Sequence, residues 1–317
     1  MKIVSITSIK NESDIIESFV RYHLNIVDFM IFLNSGSTDD TLNILNSLID
    51  ENLPIVVIEG DGYFEPYVKY NYLLNLAIND YGADIICPLD CDEFIIAKSG
   101  NPRDIIVNIP ENSYFKLKWR TFVPTSNDDQ NIKFIPSRVN HVRDENLDMF
   151  SKVIISRELV EKFNVNLSMG NHDIEGTSNQ IKCITDSGLN LAHFPIRSVN
   201  QTISKVLISY PNTLSRKVIK KGVSFHYIIM FNTIKNKGQI TMDDVTRFAK
   251  QYALFLEGIH KKFIDDSLIS IKKDSINLDF CKNLEIKYSY EENPIKNVLD
   301  NYVFFANEIH RLKNVNC

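Results

Sequence analysis

The sequence predicts an α/β fold in which a mostly parallel, mixed sheet carries helices on both faces, followed by a helical C-terminal region. First, four short apolar runs alternate with helical patterns over residues 3–89, as in sheets built from crossover units. Second, alternating, strand-like patterns begin near Ser113. Third, helical patterns dominate after Arg197. We therefore expect an α/β domain over residues 1–210 and a helical extension over residues 211–317.

The first half of the predicted domain contains four strands and three helices. The strands are Ile3–Ile9, Phe29–Leu33, Ile55–Ile58 and Asp84–Leu89. Each helix has one apolar face, formed by Ile15, Ile16, Phe19, Val20 and Leu24 in the first, Leu42, Leu45, Leu48 and Ile49 in the second, and Tyr70, Leu73, Leu74, Ala77 and Ile78 in the third. The third helix is expected to begin at Pro66, because a proline at the first helical position lacks only an N–H that has no partner there.

The second half is predicted to add antiparallel or mixed strands, because Tyr114–Trp119 and Ser151–Ile155 alternate between apolar and polar residues. In the C-terminal region, Thr241–Lys262 and Ile295–Leu312 have helical patterns. No internal repeat or low-complexity linker separates these parts.

Composition excludes several classes of protein. The formal net charge of -5 argues against a nucleic-acid binder, because such proteins carry a basic surface. No apolar run approaches the ~20 residues that span a bilayer, and Met1–Lys10 is expected to form a strand, not a signal peptide. Five cysteines without a Cys-x-x-Cys pair predict a reducing compartment, and hence a cytoplasmic protein.

Polar residues follow three of the predicted parallel strands, at Lys10–Glu12, Asn34–Asp40 and Asp90–Glu93. Ligands of an open α/β sheet bind beyond the carboxyl ends of its strands, so we expect these loops to meet. Asp90 and Asp92 project from the same side of an extended segment, and a carboxylate pair suits Mg²⁺ or Mn²⁺ bound together with phosphates. A solvated turn is the alternative. The apolar run before Asp90 and the Glu93-Phe94 pair after Asp92 favour the metal site.

The loop Asn34–Asp40 lacks both the glycine pattern of a dinucleotide site and the Gly-Lys-Ser/Thr of a phosphate loop. It offers hydrogen-bond acceptors instead, on Asn34, Asp39 and Asp40, which suit a base edge or ribose hydroxyls. Asp39 equally suits the cap of the following helix, and capping is compatible with ligand contact.

The order and spacing of these motifs resemble family 2 glycosyltransferases. The matching segments are Ile3–Glu12 with its Lys-Asn-Glu, Asn34–Thr41, Leu89–Phe94 with its Asp-x-Asp-Glu-Phe, Lys118–Arg120 and His193–Ser198. The resemblance extends over residues 1–210 and implies a GT-A fold, with residues 1–110 as the nucleotide-binding half and residues 111–210 as the acceptor-side half. It further implies a metal-dependent, inverting hexosyltransferase that uses a UDP-sugar or a similar donor, with a saccharide or lipid-linked acceptor in bacterial surface polysaccharide synthesis.

The resemblance also implies roles for individual residues. Nucleotide binding is expected from Ser8, Asn11, Glu12, Asn34, Asp39, Lys69, Asn71 and Asp90. Asn34 stands where the family has Asp, and an amide can still pair with a pyrimidine edge, so the base stays open. Asp90, Asp92 and His193 are expected to bind Mn²⁺ or Mg²⁺, since imidazole is a suitable ligand for Mn²⁺. A hydrogen-bonded structural role is the alternative for His193.

An inverting transfer needs a base that removes the proton of the acceptor hydroxyl. Asp173, in the polar loop Gly170–Asp173, is the first candidate, followed by Glu93 and then Glu175; an ordinary surface turn is the alternative for that loop. For the acceptor or sugar we expect contacts from Trp119, Arg120, His172 and Arg197, because an aromatic ring beside a donor suits a sugar ring. Core packing is the alternative for Trp119.

Two other classes of function remain open. An Asp-x-Asp pair after a strand also occurs in metal-dependent phosphohydrolases, although Glu93-Phe94 does not match their usual continuation. A non-catalytic scaffold that binds nucleotide sugars would keep the nucleotide loops and lack a base. The basic cluster Arg216-Lys217 and Lys220-Lys221 would suit a peripheral contact with the inner face of a membrane, but a solvated helix face explains it better.

Overall fold

A computed structural model describes residues 1–60, 66–144, 150–176, 178–214, 225–254, 269–288, 290 and 293–315. The strands are β1 (Ile3–Ile9), β2 (Phe29–Asn34), β3 (Ile55–Glu59), β4 (Ile85–Pro88), β5 (Glu93–Ala97), β6 (Ser113–Thr121), β7 (His141–Arg143), β8 (Ser151–Ser156), β9 (Asn166–Leu167), β10 (Ile174–Glu175), β11 (Lys182–Ile184), β12 (Leu189–His193) and β13 (Ile271–Lys273). The helices are α1 (Ile16–His23), α2 (Thr41–Asp50), α3 (Pro66–Asn79), α4 (Pro102–Ile106), α5 (Ile135–Arg138), α6 (Arg157–Phe163), α7 (Val199–Leu214), α8 (Phe225–Lys237), α9 (Met242–Gln251) and α10 (Pro294–Val315).

One mixed sheet organises the described residues. Its strand order is β3-β2-β1-β4-β8-β6-β12-β5, and β11 pairs with β6 beside this path. The neighbours β3, β2, β1 and β4 are all parallel, and β12 is parallel to β6. The pairs β4–β8, β8–β6 and β12–β5 are antiparallel. The predicted α/β fold class, with a mostly parallel mixed sheet, is confirmed.

Helices cover both faces of this sheet. Successive side chains of a strand point to opposite faces, and apolar strand residues are buried on both. On one face, α1 and α2 pack through a cluster that includes Phe19, Val20 and Leu45, while α3 packs on the other face through Leu73 and Leu74. The apolar face predicted for α3 is buried throughout. The prediction for α2 was wrong at one position, because Ile49 is 38% exposed and Ile44, at 5%, takes its place in the core.

The C-terminal residues pack against the sheet domain. Helix α7 runs across residue 210, where we expected a boundary, and β13 pairs with β7 of the preceding region. Val206, Met230 and Phe248 belong to the same apolar cluster as the first face of the sheet. The division at residue 210 stays a prediction, and the two sides of that position share a core.

Two further expectations concern the C-terminal region. Helix α9 ends at Gln251, and residues 255–262 of the longer predicted helix lie outside the described residues. The basic cluster at Arg216-Lys217 and Lys220-Lys221 also lies outside them. Within the described parts of the chain, every helix is too short or too polar to cross a membrane.

Candidate active site

The three polar loops meet at one edge of the sheet, because β1 lies between β2 and β4 and all three strands run in the same direction. Hydrogen bonds join the first loop to the second. The Asn11 side chain accepts from the Thr38 N–H at 2.7 Å, the Glu12 N–H donates to Thr41 Oγ1 at 2.8 Å, and the Ser13 N–H donates to Asp39 at 3.1 Å. The expected convergence of the loops is therefore present in the structure.

The second loop uses much of its hydrogen-bonding capacity internally. Asp39 accepts from the N–H of Thr41, the first residue of α2, at 3.0 Å; it lies one position before the N-cap Asp40, which makes no side-chain capping bond. The Asn34 amide donates to Glu59 at 2.8 Å and accepts from the Ser37 N–H at 2.9 Å, and only 2% of the residue is exposed. In this arrangement Asn34 shapes the loop, and with 2% of the residue exposed it offers a base edge almost no surface.

Ser8 and Lys69 lie beside this loop, and Asn71 bonds to the backbone at β9. The Ser8 and Ser35 hydroxyls are 3.0 Å apart, and Lys69 Nζ donates to Ser35 Oγ at 2.8 Å. Asn71 instead bonds to the backbone of Leu167, at 3.0 Å from its amide nitrogen and 2.8 Å from its oxygen. Asn71 therefore anchors the chain at β9, and its role in nucleotide binding stays a prediction.

The C-terminal helix α10 reaches the same edge. Lys10 Nζ lies 5.0 Å from the Phe304 ring centroid and 4.6 Å from that of Phe305. Gly36 has a φ of +79°, and a Cβ there would collide with the Phe304 ring, so the loop needs glycine on both counts. Burial, with a smaller effect of Lys69, lowers the pKa of Lys10 to about 8.

Asp90 is the most exposed carboxylate of the third loop, with 44% of its side chain exposed. Its Oδ1 accepts from the Tyr70 hydroxyl at 2.7 Å, and its Oδ2 contacts Lys152 Nζ at 2.6 Å. Burial raises the pKa of Asp90, but Lys152 and Tyr70 together lower it by more, so the net shift is downward. Asp90 is therefore ionised at neutral pH, with one side open to a ligand.

Asp92 and His193, two of the candidate metal ligands, lie close together. Asp92 Oδ1 lies 3.8 Å from His193 Nε2, and Asp92 Oδ2 accepts from Lys205 Nζ at 2.9 Å. Burial raises the pKa of Asp92, but Lys205, His193 and Arg197 together lower it by more, so the net shift is downward. Burial lowers the pKa of His193 to about 3, so the ring is neutral and its nitrogens can accept a metal ion.

Glu93 lies fully buried beneath this loop. Its Oε1 accepts from the Trp119 indole N–H at 2.7 Å, and its Oε2 accepts from the Asp90 N–H at 2.9 Å. Lys152 Nζ is 3.7 Å from Oε1. Burial raises the pKa of Glu93 to about 8, with Lys152 opposing the shift, so this carboxyl can hold a proton near neutral pH.

Arg197 was expected to contact the acceptor, and the structure corrects this expectation. Its Nε and Nη2 contact Asp14 at 2.7 Å each, Nη2 also contacts Glu12 at 2.8 Å, and Nη1 donates to the Phe194 carbonyl at 3.0 Å. Only 1% of the side chain is exposed. The buried guanidinium uses four of its five N–H groups in joining the segment after β12 to the first loop, and it has almost no surface that an acceptor could reach. Burial raises the pKa of Glu12 to about 7, although Arg197 opposes that shift.

The remaining acceptor-side candidates divide between the two faces of β6. Trp119 stacks on His193, and the His172 ring lies 5.9 Å from the indole. Arg120, the next residue of the strand, points to the other face and pairs with Asp274. Trp119 is 8% exposed, so core packing, its alternative role, describes most of its surface.

Asp173 is not brought into the cluster around Asp90 and Asp92. Its carboxylate accepts from Tyr114 at 2.7 Å and from Lys116 at 2.5 Å. Tyr114 and Lys116 occupy the face of β6 opposite Trp119, because side chains alternate along a strand. Lys116 and Tyr114 also lower the pKa of Asp173 against the effect of burial. These contacts argue against Asp173 as the base. Glu175 in β10 is exposed.

The sequence predictions gave no site role to four residues that contact the candidate site residues: Asp14, Tyr70, Lys152 and Lys205. Lys152 left a readable signal, because it alternates with Val153 and therefore shares the inward face with Ile154. A lysine on a buried strand face needs a carboxylate partner. Lys205 left no comparable signal, because its position in α7 fixes no partner in sequence.

The donor set fits a divalent ion that takes part of its coordination from a ligand. Among the described residues, no three His, Cys, Asp or Glu side chains lie close enough to form a metal site by themselves. His193 Nδ1 is buried, and it has no hydrogen-bond partner among the described residues. Mg²⁺ and Mn²⁺ are commonly held by one or two protein ligands together with substrate phosphates. Asp92 and His193 can supply these one or two protein ligands, and the described residues do not supply a complete set.

No protein-family model matches this chain, and no curated protein matches it. Three solved structures are similar to it over part of their length. S. aureus TarS, residues 1–349, is 14% identical over 79% of both chains with a TM-score of 0.37. The mannosyltransferase PcManGT from Pyrobaculum calidifontis, in complex with GDP-Man and Mn²⁺, is 12% identical over 77% of this chain and 78% of its own, with a TM-score of 0.37.

The third is the glucosyl-3-phosphoglycerate synthase from Mycobacterium tuberculosis, in complex with Mn²⁺, UDP and glucosyl-3-phosphoglycerate. It is 23% identical over 38% of this chain and 44% of its own, with a TM-score of 0.26. At these identities and TM-scores, the similarity does not decide what this chain binds or transfers.

Proposed function

We propose that this protein is a metal-dependent glycosyltransferase that transfers a sugar from a nucleotide-sugar donor. One observation carries the proposal: Asp92 and a neutral, partly unpartnered His193 lie 3.8 Å apart at the edge of the sheet where the loops after β1, β2 and β4 meet. Ligands of open α/β sheets bind at that edge. An ion site that needs phosphate oxygens to complete it, beside loops rich in hydrogen-bond acceptors, suits a nucleoside diphosphate.

The donor would lie across the first three loops. Ser8 and Lys69 line the second loop, and Asp90 has an open side beside them. We propose that Asp90 faces the ribose and that Asp92 and His193 hold Mn²⁺ or Mg²⁺. When bound, such an ion neutralises charge on the diphosphate of the leaving nucleotide. Lys152 and Tyr70 fix the Asp90 carboxylate, so this group is held in one orientation before the donor arrives.

The base for acceptor activation is proposed to be Glu93. Of the three candidates, it is the one inside the cluster. A base must be ionised, and with a pKa of about 8 a minor fraction of Glu93 is ionised at neutral pH, so the active form grows as pH rises towards 8. Its oxygens are occupied by Trp119 and the Asp90 N–H, so an acceptor hydroxyl must approach past the indole. With the base on one side and the diphosphate on the other, transfer would invert the anomeric carbon.

Several details go beyond the geometry of the site. We propose UDP as the nucleotide, a saccharide or lipid-linked acceptor, and a role in bacterial surface polysaccharide synthesis in the cytoplasm. These proposals rest on the resemblance of Lys10-Asn11-Glu12 and Asp90–Phe94 to family 2 motifs. Calorimetry with UDP, GDP, CDP and dTDP, each with Mn²⁺, tests the nucleotide. Tighter binding of GDP than of UDP would show the choice of base to be wrong.

Thermal unfolding tests the class of function. A ligand that binds only the folded chain raises the melting temperature by mass action, so UDP with Mn²⁺ should stabilise a transferase. A phosphohydrolase should instead respond to Mg²⁺ with a phosphate mimic such as vanadate. A scaffold would respond to UDP and show no turnover. The Asp92→Asn variant is the matched control, because it should lose the Mn²⁺-dependent part of the shift and keep the rest.

A further inference from the structure

Lys205 has one N–H donor more than its hydrogen bonds to the described residues use. It extends from α7 (Val199–Leu214) and donates from Nζ to Asp92 Oδ2 at 2.9 Å and to the Pro195 carbonyl at 3.0 Å. An ammonium group has three N–H donors. Among the described residues, therefore, one donor of Lys205 has no hydrogen-bond acceptor, and it lies beside the proposed ion site.

The other buried cations of the cluster are already committed. Arg197 uses four of its five N–H groups on Glu12, Asp14 and the Phe194 carbonyl, its Nη1 lies 4.0 Å from Asp92 Oδ2, and only 1% of its side chain is exposed. Lys152 lies between the carboxylates of Asp90, at 2.6 Å, and Glu93, at 3.7 Å. Lys205 contacts a single carboxylate, and 16% of its side chain is exposed. Arg197 and Lys152 are only 1% and 3% exposed, so of these three cations Lys205 is the one that a ligand can reach.

Lys205 and a divalent ion would compete for the same carboxylate. Asp92 is the contact of Lys205 and the proposed ligand of the ion, with His193 Nε2 only 3.8 Å away. Two cations this close repel each other strongly in a buried site. An anion between the two cations reduces this repulsion. A diphosphate has two linked phosphoryl groups, whose oxygens can contact the divalent ion and Lys205 at the same time. Lysine is a common point-charge partner of phosphate groups.

We propose that Lys205 binds the diphosphate of the nucleotide donor, exchanging part of its contact with Asp92 for a phosphate oxygen. This inference rests on the proposed function and deepens it. When the bond between the anomeric carbon and the diphosphate oxygen breaks, its electron pair passes to that oxygen. Lys205 keeps all three protons and stabilises the oxygen by charge and hydrogen bonding.

Calorimetry with UDP and with uridine tests this role in the full-length chain, with Mn²⁺ and with EDTA. In Lys205→Met, UDP affinity should fall at least ~10-fold, the scale of a charged hydrogen bond, and uridine affinity should stay within about twofold. Lys98→Met is the matched control, because Lys98 is exposed and pairs with an exposed Asp186; it should bind both ligands as the unaltered protein does.

Lys205→Met leaves Asp92 with one cation fewer, so its folding must be checked by circular dichroism. Lys205→Gln serves if the methionine variant does not fold, because its amide can still donate to Asp92 and Pro195 while it lacks the charge. The same selective loss of UDP affinity is expected.

Three outcomes decide the matter. A loss confined to UDP supports the role. Unchanged UDP affinity, or an equal loss of UDP and uridine affinity, overturns it and leaves Lys205 as a structural partner of Asp92. If the unaltered protein binds none of UDP, GDP, CDP or dTDP, the proposed function itself fails. The unaltered protein alone shows this outcome, so it is distinguished from a failure of the Lys205 role, which only the variants show.

Discussion

The His193 imidazole stacks on the Trp119 indole, with ring centroids 4.0 Å apart and an interplanar angle of 26°. The same indole donates its N–H to Glu93. One aromatic side chain thus holds the proposed metal ligand with its face and the proposed base with its edge. Since β12 is parallel to β6, with His193 opposite Thr121, the strand pairing fixes this arrangement, which does not depend on the loops.

Trp119 should report ligand binding by fluorescence, because it is the only tryptophan of the chain and it contacts His193. We expect Mn²⁺ to change its emission and UDP to increase the effect. His193→Ala should abolish the Mn²⁺ response, and His172→Ala should keep it, since the His172 ring is 5.9 Å away and edge-on. An unchanged Mn²⁺ titration in His193→Ala would remove His193 from the ion site.

Arg197→Met should destabilise the fold severely. The substitution leaves Asp14 and Glu12 without their buried partner, and breaking a buried ion pair costs about 3–5 kcal/mol. Arg157→Met is the control, because Arg157 makes an exposed i,i+4 pair with Glu161 that is worth only about 0.3–0.5 kcal/mol. Urea unfolding followed by circular dichroism measures both. A small, equal effect of the two substitutions would return Arg197 to the list of ligand-binding candidates.

Glu93→Gln and Asp173→Asn should affect transfer very differently. Glu93→Gln removes the proposed base and should slow transfer at least ~100-fold, the low end of general-base catalysis. Asp173→Asn removes a pair with Lys116 in which the Asp173 side chain is 43% exposed, so its rate should stay within a few-fold. Both rates are measured on samples with unaltered circular dichroism. The reverse pattern would restore Asp173 as the base.

The C-terminal segment should loosen in acid. Glu51 contacts Arg21 at 2.9 Å and Tyr288 at 2.7 Å, and hydrogen bonding to Arg21 and then Tyr288 lowers the Glu51 pKa from 4.5 to about 2 against the effect of burial. A lowered carboxyl pKa adds stability that is fully present above the unfolded pKa and is lost as pH falls through the folded one.

We therefore expect the free energy of unfolding to decrease between about pH 4.5 and pH 2, and to decrease less steeply in Glu51→Gln. Urea unfolding at a series of pH values measures this. Asp28→Asn is the control, because Asp28 forms a more exposed pair with Arg103. Identical pH profiles for Glu51→Gln and the unaltered chain would contradict the proposed contribution of Glu51.

Local patterns predicted the first half of the fold well. The strand Ile3–Ile9 and the buried face of α3 follow from alternation and helical spacing, which depend only on near neighbours in sequence. Ile49 shows the limit, because the spacing did not decide between Ile44 and Ile49 as the inward residue of α2; packing against the sheet did.

The candidate site was predictable only in its loops. Asp90, Asp92 and His193 were identified from motifs, and the parallel strand order brought the first two to the expected edge. Their partners Lys152 and Lys205 come from β8 and α7, and no local pattern specifies a contact across 62 or 113 residues. The same holds for Asp173, whose direction was set by Tyr114 and Lys116.

Hydrolysis of nucleotide sugars tests the central claim most directly. A panel of UDP-, GDP-, CDP- and dTDP-sugars would be incubated with the protein and Mn²⁺, with water as the sugar acceptor and released nucleoside diphosphate as the readout. We predict release from at least one donor, its loss when EDTA removes the ion, and its loss in Asp92→Asn with the circular dichroism spectrum unchanged. Release at full rate in Asp92→Asn, or release of inorganic phosphate in place of nucleoside diphosphate, would contradict the account.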